Sequence, residues 1–70
     1  MIEVFKTNVN TNSDAGRILN YLQSIYQDAH FNFDLNDIDK ILRIDTSNIM
    51  QFEMIVQNMH TFGFACEILE

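Results

Sequence analysis

"HFNFDLNDIDKILRID", residues 30–45, is the stretch that settles the architecture. Its first six residues alternate strictly. Phe31, Phe33 and Leu35 face one way and His30, Asn32 and Asp34 the other, which is the period of a half-buried strand. "NDID", residues 36–39, is rich in turn formers. "KILRID", residues 40–45, reads as a second strand with Leu42 and Ile44 toward the core. Two such runs across a short polar turn make an antiparallel hairpin.

On either side of the hairpin the period changes to that of a helix. Upstream, Ala15, Ile18, Leu19, Leu22, Ile25 and Tyr26 form one helical stripe. Ser13 is its expected N-cap, and Asp14 suits the positive helix end. Gly16 costs that helix roughly 1 kcal/mol relative to alanine, and a close backbone approach is the expected reason for it. Downstream, "TSN", residues 46–48, offers caps for a helix reaching Phe62. Its buried stripe is Ile49, Phe52, Ile55, Val56, Met59 and Phe62, and Gly63 is placed to stop it in the left-handed conformation.

Strands stand outside both helices. "IEVFKTNV", residues 2–9, puts Ile2 and Val4 on one face and Phe5 and Val9 on the other. "FACEIL", residues 64–69, puts Phe64, Cys66 and Ile68 on one face. The order β-α-β-β-α-β over residues 1–70 predicts one α+β domain. Its four-stranded antiparallel sheet has the order 4-1-3-2, an open-faced sandwich with two helices on one face. Each helix is expected to cross right-handed between strands that pair in parallel.

Composition limits what such a domain does. Ten acids against four bases give a net charge of −6, the wrong sign for a phosphate-backbone partner, so no nucleic acid is expected. No apolar run approaches the roughly 20 residues of a membrane span, and "MIEVFKTN" alternates as a strand rather than as a leader. A cytoplasmic setting is the expectation, since the single cysteine, Cys66, forms no internal disulfide. The absence of proline and the two glycines predict regular structure with short connections.

The element order and spacing resemble those of the heavy-metal-associated domain of copper chaperones and metal-transporting P-type ATPases, a ferredoxin-like fold. The pieces that carry the likeness are "IEVFKTNV", "RILNYL", "FNFDL", "ILRID" and "MHTFGFACEIL". In that family the loop after the first strand carries Met-x-Cys-x-x-Cys, whose two thiolates hold a soft ion such as Cu(I). Setting "RILNYL" against the family's first helix puts the cysteine positions on Thr11 and Asp14 and the methionine position on Val9. None matches, so the resemblance implies the scaffold without its metal site, and no cofactor is expected. Oxygens of Thr11, Asn12 and Asp14 are a poor set for a hard cation.

Other residues are weighed on their own chemistry. Cys66 lies on the inward face of the last strand, where a cysteine is normally a small apolar residue. His60 is near it in sequence but on a helix end, expected to point elsewhere, and suits the negative dipole there. His30 and His60 lack a second ligand one turn away, which disfavours zinc. Asp34, Asp37 and Asp39 lack the glycine and final glutamate of an EF-hand loop. No phosphate loop and no serine–histidine–acid set is present, so no catalytic residue is nominated and no enzyme is expected.

What remains is surface. Met50 and Met54, one turn apart, fall off the buried stripe of the second helix. Alternation is expected to show Phe5 and Ile41 on the uncovered sheet face. Phe5, Ile41, Met50 and Met54 are therefore the candidate partner surface, and the outer strands offer free edges. The leading expectation is a protein-binding or adaptor module, or a homo-oligomer joined through the sheet face or an edge strand. The alternatives are a soft-metal carrier using Cys66 with methionine or histidine ligands, and a small-molecule-sensing regulatory domain.

Overall fold

The computed structural model describes residues 1–47 and 52–69. The strands are β1 (Ile2–Thr7), β2 (Ala29–Asp34), β3 (Ile41–Thr46) and β4 (Cys66–Ile68), and the helices are α1 (Asn12–Ile25) and α2 (Phe52–Thr61). The sheet order is β2-β3-β1-β4, which is 4-1-3-2 read from the other edge. Every pairing is antiparallel. The strands that each helix joins are therefore not neighbours, contrary to the parallel pairing expected. β3 lies between β1 and β2, and β1 between β3 and β4.

The hairpin stands as read, with Phe33 opposite Leu42 and Phe31 opposite Ile44. Leu42 and Ile44 are fully buried, and Phe31, Phe33 and Leu35 pack against the core. Its turn contains no glycine. Lys40 takes the left-handed backbone, φ 48°. Its main-chain N–H donates to the Asp37 carbonyl (3.1 Å), and its ammonium donates to the Leu35 carbonyl (2.9 Å).

The sequence left one face of β1 undecided, and the structure reverses the expectation. Phe5 is 0 % exposed, whereas Ile2 is 51 % exposed. Phe5 stands opposite Leu42 on one side and Ile68 on the other. Directly opposed residues share a face, so the buried Leu42 carries Phe5 inward, where it meets the Phe52 ring at 6.0 Å. Ile2 and Val4 then look outward. Alternation alone was silent because β1 is apolar on both sides.

Both helices cover that inward face. Ala15, Ile18 and Leu22 of α1 and Ile55 and Met59 of α2 share one buried cluster with Phe5, Val9, Leu42 and Ile44. Gly63 ends α2 with φ 94°. Its N–H donates to the His60 carbonyl (2.9 Å) and the Phe64 N–H to the Met59 carbonyl (3.0 Å), the paired closure of a Schellman motif. A Cβ built on Gly16 meets nothing within 4 Å, so close approach is not the reason for that glycine. Thr46, expected as a cap, belongs to β3; Asn48, Ile49 and Met50 lie outside the described residues.

Candidate functional site

The polar side chains of the loop between β1 and α1 are already in use: Thr11 serves the helix, and Asn8 Oδ1 accepts from the Ala65 N–H (2.8 Å). Thr11, not Ser13, is the N-cap: its backbone is extended and its Oγ1 accepts from the Asp14 N–H (3.1 Å). Thr11 precedes the first helical residue by one, the position from which a hydroxyl reaches the third amide; Ser13 already lies within the helix. The Asp14 carboxylate accepts from Arg17 Nη2 at 3.0 Å. Val9 is buried and donates its N–H to Thr7 Oγ1. The three positions that the resemblance assigns to ligands are thus used otherwise: Thr11 caps the helix, Asp14 pairs with Arg17 and Val9 packs in the core. Among the described residues no three His, Cys, Asp or Glu side chains are grouped to hold a metal ion.

The hairpin acids are used in the same way. Asp34 Oδ1 accepts from the Asn36 N–H (3.2 Å) and Asp37 Oδ1 from the Asp39 N–H (2.8 Å). Side-chain carboxylates that bond the backbone two residues ahead shape a turn.

Cys66 and His60 share a surface cavity, which their separate elements did not suggest. They line one surface cavity of about 370 Å³ with Lys6, Thr7 and Glu67. The tight reversal at Gly63 folds the last turn of α2 back beside the start of β4, a proximity that helix and strand periods do not reveal separately. The chemistry is weak. Burial, and secondarily the Glu67 carboxylate, push the Cys66 thiol up to about 11 from 9.0. Neutral pH leaves it protonated, whereas nucleophiles and soft-metal ligands need the thiolate.

The uncovered face of the sheet is more distinctive. Ile2, Val4 and Ile41 point away from the helices, and the Leu69 N–H donates to the Val4 carbonyl (2.9 Å), setting Leu69 beside them. Polar residues surround this apolar band: Arg43 opposite Val4, Asp45 opposite Ile2, Glu67 opposite Lys6. Of the nominated surface residues, Ile41 is half-buried on this face and Phe5 belongs to the core. Met54 is exposed on α2; Met50 lies outside the described residues. The residues that sequence reasoning missed are Ile2, Val4 and Leu69; alternation along β1 left the facing of the first two open.

A cleft of about 490 Å³ lies between α1 and the far end of β2, where Gly16 leaves room beside Leu19, Phe33 and Leu35. No helix among the described residues is long and apolar enough to cross a membrane. Comparison with protein-family models, with curated proteins and with solved structures finds no match to this chain.

Proposed function

We propose that this chain is a non-enzymatic protein-binding module of the cytoplasm, similar in scaffold to the heavy-metal-associated domain but without its metal clasp. The observation that carries the reading is the uncovered sheet face, with Ile2, Val4, Ile41 and Leu69 rimmed by charge. An apolar centre inside a polar rim is the anatomy of a protein contact surface. The net charge of −6 favours a partner whose rim is basic. The employment of Thr11 as a cap and of Asp14 in an ion pair supports the reading of a scaffold without its metal site.

The test is a face-disrupting pair, Ile2→Lys with Val4→Lys, checked for native circular dichroism. A partner recovered with the wild-type chain should be lost with this variant and kept with Met54→Lys, which lies on α2. A soft-metal carrier is the competing reading, favoured only by the shared cavity of Cys66 and His60. Cu(I) bound at one equivalent against a chelator, and lost in Cys66→Ser, would establish that reading instead.

A further inference from the structure

The two sheet edges are β2 and β4, and the hydrogen-bond parity of β2 defines what its open side offers. Thr46 exchanges both main-chain bonds with Met1. Alternation along β3 then turns Leu42, Ile44 and Thr46 toward β1, and Ile41, Arg43 and Asp45 toward β2. Their partners Asp34, Asn32 and His30 are the β2 residues bonded within the sheet. Ala29, Phe31 and Phe33 look outward. Ala29 is already closed off: its N–H donates to the Tyr26 carbonyl (3.2 Å) and its carbonyl accepts from Gln23 Nε2 (2.7 Å). Phe31 and Phe33 keep an N–H and a carbonyl each on the open edge.

Those four groups match their own image. An antiparallel copy of β2, related by a two-fold axis through Asn32, sets Phe31 opposite Phe33 of the second copy in the narrow, doubly bonded arrangement. It does so twice, so four hydrogen bonds use every outward group of Phe31 and Phe33 on both copies. The same register sets His30 opposite Asp34 of the second copy, again twice, on the uncovered face. It also brings the half-exposed flanks of Phe31 and Phe33 against each other on the helix side. Centring the axis on Phe31 would oppose Phe33 to the occupied Ala29. Centring it on Phe33 would call on Leu35, which lies in the turn.

We propose that this chain forms a two-fold homodimer by antiparallel pairing of β2 with β2, in the register centred on Asn32, giving one continuous eight-stranded sheet. The proposal does not depend on the sheet-face reading, since a face-bound partner and an edge-bound copy leave each other room.

Sedimentation of the full chain over a concentration series up to about 1 mM tests it. The wild-type chain should reach twice its 8.2 kDa mass. His30→Asp places like charges opposite each other at two sites and should raise the dimer dissociation constant about tenfold. The double variant, His30→Asp with Asp34→Asn, removes the repulsion while keeping an Oδ1 acceptor for the Asn36 N–H, and should recover the dimer. Both positions are exposed, so native circular dichroism is expected throughout. A wild-type monomer at the highest concentration, a dimer indifferent to His30→Asp, or a double variant that does not recover would each overturn the proposal.

Discussion

The two faces of β1 carry similar apolar residues and meet opposite fates. On the inward face, Phe5 and Thr7 are buried beneath the helices; on the outward face, Ile2 is half in water and Val4 only partly covered. Hydrophobicity did not choose between them. The choice came from the neighbours: β3 had a decided inner face in Leu42 and Ile44, and pairing imposed that face on β1. An ambiguous strand takes its orientation from an unambiguous one, and the apolar residues left over become surface available to a partner.

Truncating each face in turn tests whether burial carries the energy. Phe5→Ala removes a fully buried ring and should cost about 3–5 kcal/mol, read as a lower urea midpoint. Ile2→Thr and Val4→Thr are the smallest expected effects, within about 0.5 kcal/mol of wild type. Should the two sets of values coincide, the burial contrast would have no energetic meaning.

Between these extremes the covered face has a pH signature. The Cys66 thiol holds its proton more tightly when folded, with a pKa raised from 9.0 to about 11. Below pH 9 the thiol is protonated in both states and stability is unaffected. As pH rises toward 11 the unfolded chain loses the proton first, and stability falls by roughly 1–3 kcal/mol. Denaturation at pH 8 and pH 10.5 should show this loss, and Cys66→Ala should abolish it. Alkylation by iodoacetamide at pH 7.5 should be correspondingly slow.

A smaller effect probes the helix that covers the face. Thr11→Ala removes the N-cap acceptor of α1 and should cost about 1 kcal/mol by thermal melting, whereas Ser13→Ala should cost little.

The architecture was legible because its signals were local. Strict alternation in residues 30–35, the apolar stripes of both helices and Gly63 each act within a few residues. The sheet order then followed from general rules of connection. The facing of β1 was not legible, because Ile2, Val4, Phe5 and Val9 satisfy both senses of the alternation. The N-cap was missed because Thr11, Asn12 and Ser13 are all capable cappers, and only the backbone at Thr11 decides. That His60 and Cys66 border one cavity depends on a chain reversal that no period encodes. Of the candidate surface, Ile41 was placed on the right face, while Ile2 and Val4 emerged only once the register was known.

The glycine-free turn at Lys40 reverses an ordinary mutational expectation. A residue with positive φ and a Cβ sits in an uncomfortable backbone well, and here the ammonium clasp on Leu35 offsets that discomfort. Shortening the side chain to alanine forfeits the clasp and keeps the discomfort; erasing it with glycine forfeits the clasp and removes the discomfort too. The more drastic replacement should therefore be the gentler one, and the loop's tolerance will look inverted to anyone ranking substitutions by size alone.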